Sequence, residues 1–325
     1  MAVSTPDLQE IHDFLISIAQ KAGEMITAAN PTTASSGSKK NSADLVTETD
    51  QAVETMVSKA LMSKYPSFKF LGEETYQPGT VLTAEPTFVV DPIDGTVNFV
   101  HGHPYVSISL ALCINLVPMV GVVYNPFTST LYSAIRGQGS YLNRTRRLPL
   151  KARPEPLRGL NNALVAVEWG SDRRGNNWDV KINTFANLGC QDGAMVHSMR
   201  SLGSAALNFC GVAAGTLDMY WEAGCWAWDV AAGWVILEEA GGIVADANPG
   251  GWHPRVDGRR YMAVRNLGPA ANGTNGINGA NGTNGTNRYH AEHGDAKSVT
   301  VTGKSQKAMV EEFWTHVAGR FEYEL

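Results

Sequence analysis

Four places in the 325-residue chain set acidic groups beside glycine, proline or short hydroxyl residues. They are Asp44-Leu-Val-Thr-Glu-Thr-Asp50, Gly72-Glu-Glu74, Asp91-Pro-Ile-Asp-Gly-Thr96 and Trp228-Asp229. The third is the most informative. Phe88-Val-Val90 reads as a buried strand, and burying it leaves Asp91 at its end. Pro92 fixes φ and removes a donor, and Gly95 permits a tight turn, so Asp91 and Asp94 can converge on one point. Oxygen ligands from two or three carboxylates suit a hard cation such as Mg²⁺, which keeps several waters and accepts a substrate phosphate. The backbone N–H groups of Gly95 and Thr96 can face an anion at the same place.

Taken singly, each piece has a plainer reading. A lone Asp-Pro-x-Asp-Gly is most often a surface turn, Asp229 alone reads as the N-cap of its helix, and Glu73-Glu74 alone as a solvated loop. Joint occurrence, each piece at the edge of a regular element, favours chemistry. His101 and His103 lie nearby and read as hydrogen-bonding or packing residues rather than metal ligands.

The elements that must position these groups follow from periodicity. Leu8, Ile11, Phe14, Leu15, Ile18, Ala22, Met25 and Ile26 recur at helical spacing, and Val46, Val53, Met56, Val57, Ala60 and Leu61 mark a second helix. A polar loop (32–41) separates them. Strand-like runs at 87–90, 105–114, 119–124 and 130–135 follow as a meander. Prolines within 148–157 suggest a crossing between an α+β subdomain (1–150), which carries most of the acidic groups, and an α/β subdomain (151–325). There, 163–167 and 216–220 read as strands, and 178–188, 204–212 and 229–240 as helices, the last stopped by Gly241-Gly242. An Asn at every third position from Asn272 to Asn287 marks a flexible insertion at about 270–295. A strand at 298–302 and a helix at 307–317 close the chain.

Composition narrows the class. Hydrophobic residues at 43% and charged residues at 18% support a sizeable core. The net charge of -5 argues against a general nucleic-acid binder, which would carry a basic field. No apolar run has the length of a membrane span, and the first residues lack the pattern of a signal peptide. Cys113, Cys190, Cys210 and Cys225 form no CxxC pair and read as free thiols. The expectation is a cytoplasmic protein with no membrane or nucleic-acid partner.

These residues also carry a family resemblance. Val89-Val-Asp-Pro-Ile-Asp-Gly-Thr-Val-Asn-Phe99 and Trp228-Asp-Val-Ala-Ala-Gly-Trp-Val-Ile-Leu-Glu-Glu-Ala-Gly-Gly242 resemble the two signature motifs of the inositol monophosphatase family. Asp44 to Asp50 and Leu71-Gly-Glu-Glu74 resemble its two supporting motifs, in the family's order. The similarity covers roughly residues 8–265 and the terminal strand and helix, without the Asn-Gly insertion.

The resemblance implies a layered αβαβα sandwich of the inositol monophosphatase and fructose-1,6-bisphosphatase type. It also implies a Mg²⁺-dependent, lithium-sensitive phosphomonoesterase acting on a small phosphorylated polyol, commonly as a homodimer. By motif, Glu73, Asp91 and the Ile93 carbonyl hold a first metal, Asp91, Asp94 and Asp229 a second, and a weaker third leans on Glu73. Asp50, Glu73 and Thr96 form the catalytic group, Thr96 orienting and deprotonating the attacking water. Asp94, Gly95 and Thr96 hold phosphate, and Gly203, Ser204, Ala205, Glu222 and Asp229 line the polyol pocket with Asp94. Trp226 stands where animal members have a histidine, Val97 replaces the second Thr of the usual Asp-Gly-Thr-Thr, and Lys39 lies near the position of a family loop lysine.

The leading expectation is hydrolysis of myo-inositol monophosphate to inositol and inorganic phosphate. Alternatives keep the chemistry but change the substrate to a sugar phosphate, histidinol phosphate, 3′-phosphoadenosine 5′-phosphate or fructose 1,6-bisphosphate. A second phosphate calls for a cationic subsite, for which Arg173, Arg174 and Arg200 are candidates. A non-catalytic relative would have lost a metal carboxylate, and Glu73, Asp91, Asp94 and Asp229 are all present.

Overall fold

The computed structural model describes residues 6–29, 37–38, 45–267 and 304–323. Lys39, Asp44, the Asn-Gly insertion and the strand expected at 298–302 lie outside the described residues. Helix α1 (Leu8–Ala28) is capped by Asp7, whose carboxylate accepts from the Gln9 and Glu10 amides. Its stripe of Ile11, Leu15, Ile18, Ala22 and Ile26 is buried as the spacing predicts. A short ribbon of β1 (Gly37–Ser38) and β2 (Leu45–Val46) leads to α2 (Glu48–Lys64). Thr47 and Asp50 close the start of α2 as a reciprocal capping box.

Seven strands then form one sheet in chain order: β3 (Lys69–Gly72), β4 (Thr87–Asp94), β5 (Ser107–Ile114), β6 (Val117–Asn125), β7 (Thr130–Ile135), β8 (Ser140–Leu142) and β9 (Arg146–Arg147). Only β3 and β4 pair in parallel, so their C-terminal ends lie side by side. A single-turn helix, α3 (Thr96–Val100), follows β4.

The second sheet has five strands in the order β11-β10-β12-β14-β13. They are β10 (Leu164–Val167), β11 (Ser198–Arg200), β12 (Met219–Ala223), β13 (Ile243–Ala245) and β14 (Arg260–Val264). Helices α4 (Asn176–Gly189), α5 (Ala205–Ala214), α6 (Ala227–Glu239) and α7 (Gln306–Trp314) complete the described chain. The strand expected at 216–220 is displaced to Met219–Ala223. Thr216 and Leu217 instead donate their amides to the Gly211 carbonyl, finishing α5 as a turn.

Three apolar layers join five structural ones. One joins α1 and α2 to the first sheet through Ile11, Leu15, Val57, Phe88 and Ile108. A second joins the other face of that sheet to α5, α6 and the second sheet. A third packs α4 and α7 beneath the second sheet around Trp221, Val165 and Phe313. The order is therefore αβαβα. All ten residues of α5 are buried, as a helix between two sheets requires. No helix among the described residues is long and apolar enough to cross a membrane.

Candidate active site

Strand β4 is buried along its whole length, so Asp91 and Asp94 go into the interior with it. Pairing with β5 runs Asp91 against Ser109 and Asp94 against Ser107, one extra residue on β4. This bulge lies at Pro92 and Ile93, where proline has no ladder donor, and bulges re-aim side chains in this way. The Ile93 amide turns inward and donates to Asp91 Oδ1 at 3.0 Å. Gly95 then takes φ +96, and a Cβ there would stand 2.9 Å from the Gly203 carbonyl oxygen, so the turn demands glycine.

Two long helices begin at the same place. Ser204 caps α5, and the amides of Ala205 and Ala206 donate to the Asp94 carboxylate at 3.1 and 2.9 Å. The Ser204 hydroxyl donates to it as well, with Ser107 Oγ at 3.4 Å. Asp94 thus sits on the positive end of α5. At α6 the N-cap is Trp226, which corrects the N-cap reading of Asp229. Asp229 occupies the third helical position and accepts the Trp226 amide at 2.6 Å. Ser109 on β5 donates to the Trp228 carbonyl at 2.8 Å, fixing the start of α6 against the sheet.

These anchors bring one carboxylate oxygen each from Asp91, Asp94 and Asp229 within 4.8 Å of one another. Burial, with Glu73, Asp94 and Asp229 adding repulsion, holds the Asp91 carboxyl well above its ordinary range. Asp229 is raised by burial and by Glu73 and Asp94. Burial pushes Asp94 up to about 6 against the lowering effect of its donors. Carboxylates forced together against their own repulsion, with no lysine or arginine among the groups that shift them, fit a hard divalent cation.

Asp50 reaches this centre from α2. Its Oδ2 accepts the Thr47 amide at 2.9 Å, and the Thr96 hydroxyl lies 3.2 Å from Oδ1 and 3.0 Å from the Ile93 carbonyl oxygen. Burial pushes the Asp50 carboxyl above its ordinary pKa. Glu73 follows β3, its amide donating to the Val90 carbonyl at 3.2 Å, and its side chain faces the cleft.

A cleft of about 770 Å³ opens above these groups and is lined by Glu73, Asp94, Gly95, Thr96 and Asp229. Gly203, Ser204, Ala205 and Glu222 line it further out, with Trp226 at its side. Every sequence-predicted polyol-pocket residue therefore meets one cavity. Among the described residues no arginine pairs with Glu222. It accepts from the Tyr220 hydroxyl, and burial followed by repulsion from Glu168 raises it to about 7, with Lys181 opposing. Trp226 lies against Trp228 and Tyr76 (centroids 5.2 and 5.0 Å), with the Arg259 guanidinium 3.6 Å from its ring centre. His103 lines the cleft, whereas His101 closes the end of α3.

Sequence reasoning passed over two organising residues. Glu168, just after β10, accepts the Leu202 and Gly203 amides (2.7 and 2.9 Å), the Asn208 amide group (2.8 Å) and the Ser201 hydroxyl (2.9 Å). Asn98 donates to the Tyr105 and Leu202 carbonyls at 2.8 and 2.7 Å. Together they shape the turn that presents Gly203 and Ser204. Glu168 had no local signal, while Asn98 lay inside a quoted motif without a role.

A five-layer αβαβα sandwich with a carboxylate centre at the floor of a polar cleft defines a phosphomonoesterase of layered architecture. The family model described as the inositol monophosphatase family matches residues 7–284, and the chain belongs to that family. It is 43% identical over 329 residues to "Inositol monophosphatase 2" of Saccharomyces cerevisiae, covering 99% of this chain and 100% of that one. It is 37% identical over 260 residues to "Inositol monophosphatase 1" of Sus scrofa, covering 79% and 90%. Among solved structures it resembles the inositol monophosphatase of Anabaena, with TM-score 0.65, 30% identity and coverage of 80% and 92%.

The crowded carboxylates make a testable statement about stability. A carboxyl whose folded pKa exceeds its unfolded value binds its proton more tightly in the fold, so stability falls as pH rises through that window. For Asp94 the window runs from 3.8 to about 6, and Asp91 and Asp229 extend it upward. In EDTA, Tm should be higher at about pH 5 than at about pH 7.5, and Mg²⁺ should raise Tm more at the higher pH. A cation-free Tm that climbs steadily over that range would contradict the picture.

Proposed function

We propose that the chain hydrolyses myo-inositol monophosphate to inositol and inorganic phosphate, by attack of water on phosphorus with no covalent phosphoenzyme. The observation that carries this is the convergence of Asp91, Asp94 and Asp229 beneath a polar cleft that also contains Thr96 and Glu222. Glu73, Asp91 and the Ile93 carbonyl would hold one Mg²⁺, and Asp91, Asp94 and Asp229 a second, with Glu73 supporting a weaker third. When bound, Mg²⁺ supplies Lewis acidity toward the phosphoryl oxygens and makes water more acidic.

The remaining work falls to the chain's own groups. The Thr96 hydroxyl donates its proton toward Asp50 Oδ1, leaving its lone pairs to accept a proton from the attacking water. The raised pKa of Asp50 makes its carboxylate a better terminus for that proton. The Gly95 and Thr96 amides, at the start of α3 where helix donors have no intrahelical acceptor, would bind phosphate oxygens. Glu222 would accept from vicinal hydroxyls of the polyol, which is a basis for preferring inositol over simple esters.

The three candidate arginines favour a monophosphate over a bisphosphate, and Arg174 does not line the cleft. Arg173 lines the cleft, but its guanidinium donates to the Trp169 and Gly170 carbonyls. Arg200 donates to Ser198 Oγ and the Met199 carbonyl. Lithium sensitivity and a homodimeric state belong to the same reading and rest on the family resemblance, whereas a cytoplasmic setting rests on the sequence patterning alone.

Phosphate release from myo-inositol 1-phosphate should require Mg²⁺ and be suppressed by millimolar Li⁺. Hydrolysis confined to a generic aryl phosphate would keep the metal centre and overturn the substrate. Asp91→Asn should lower kcat/KM by at least about a hundredfold, since losing a partner one shell beyond a metal already costs roughly 10–100-fold. Retained activity would remove Asp91 from the centre. For Glu222, ionisation rises with pH through about 7, so KM should fall several-fold across that range in the wild type. In Glu222→Gln this component should vanish, leaving only the titration of the substrate phosphate; an identical profile would exclude Glu222 from polyol binding.

A further inference from the structure

Helix α2 points two carboxylates at the site, one turn apart. Asp50 braces Thr96, as described, whereas Glu54 plays no part in the reading above. Glu54 is 1% exposed and lies under the turn that follows β3. Its Oε2 accepts the Glu74 amide at 2.7 Å. A Cβ on Gly72 would lie 2.6–2.7 Å from both carboxyl oxygens and the carboxyl carbon of Glu54, so the backbone before Glu73 is laid directly against this carboxyl group. Oε1 has no hydrogen-bond partner among the described residues. An orphaned buried acceptor is destabilising, and an apolar side chain at this position would avoid that cost. Stability therefore does not account for a glutamate here, while its bonds to the turn at Glu74 and Thr75 do: they fix the chain directly after Glu73.

We propose that Glu54 is a positioning residue for Glu73. By accepting the Glu74 amide from below, it sets the turn so that the Glu73 side chain faces Asp91 and Asp229. The two acidic side chains of α2 thus divide the work: Asp50 orients the segment after β4, and Glu54 the segment after β3. Because β3 and β4 pair in parallel, both segments emerge at the same edge of the sheet, and one helix registers them against each other. Glu54 touches neither substrate nor cation. This inference rests on the reading of Glu73 as a cation ligand.

The test is calorimetric titration of the cation-free protein with Mg²⁺ alone, together with KM at saturating Mg²⁺. Glu54→Met keeps the volume but removes the acceptor, and should weaken Mg²⁺ binding by about 10–100-fold while leaving KM within about twofold. Glu54→Gln can turn its amide oxygen toward the Glu74 N–H and should restore binding to within a few-fold of the wild type. Unchanged Mg²⁺ affinity in Glu54→Met would overturn the proposal, and so would a Glu54→Gln as impaired as Glu54→Met, which would assign the effect to charge. Should Glu54→Met not fold, Gly72→Ala serves instead, its Cβ driving the carboxyl away from the Glu74 amide, with the same expected loss and the same overturning result. A wild-type protein that binds no Mg²⁺ would overturn the metal reading and this inference together; binding that is intact and insensitive to these changes would overturn this inference alone.

Discussion

The Asp94 carboxylate is held on the first turn of α5, and the site is assembled around that contact. Asp94 ends β4, a strand of the first sheet, while its donors Ser204, Ala205 and Ala206 begin a helix that packs toward the second. The helix end offers partial positive charge and unsatisfied amides, which lets a carboxylate enter the interior at tolerable cost. Once Asp94 is seated, the bulge at Pro92 places Asp91 beside it, and Ser109 draws in the start of α6 with Asp229. Repulsion among the three is the stored consequence, and it appears as carboxyl groups that hold their protons unusually tightly.

The surrounding architecture supplies rigidity from both sides. Helix α2 reaches the centre through Asp50 and Glu54, and the second sheet reaches it through Glu168 and Glu222. Each of these acidic groups is buried; Asp50, Glu54 and Glu168 bond to donors of another segment, and Glu222 to the Tyr220 hydroxyl of its own strand. The cleft is thus framed by hydrogen bonds between segments distant in sequence. Its floor is defined less by any one loop than by four elements whose ends coincide.

The sequence carried the parts whose signals are local. Periodicity located α1, and continuous apolar runs located β4 to β7, because these elements are long and bury a face or a whole strand. The four acidic motifs were readable because glycine and proline mark the turns around Asp91 and Asp94. Short strands such as β3, β8, β9 and β13 were missed: two to four residues carry no period, and pairing with neighbours decides them. The plainer reading of Asp229 taken alone, an N-cap, fails because Trp226 takes that position and Asp229 reaches back to it. Glu168 was unreadable for a deeper reason. Its partners at Ser201, Leu202 and Gly203 lie 33 to 35 residues away, so its purpose exists only in three dimensions.

Trp226, finally, bears on how the cleft discriminates. A guanidinium over its ring and two aromatic neighbours engage the indole, and Arg259 is itself tied by Nη2 to the Gly224 carbonyl at 2.9 Å. A histidine at this position would offer a ring nitrogen able to exchange protons and trade hydrogen-bond partners. The indole has one donor and no acceptor. Under the proposed function, selection on this side of the cleft would therefore work as a stencil: a guest would be admitted or refused by its outline, and changes in acidity that would retune an imidazole would leave this edge of the aperture as it was.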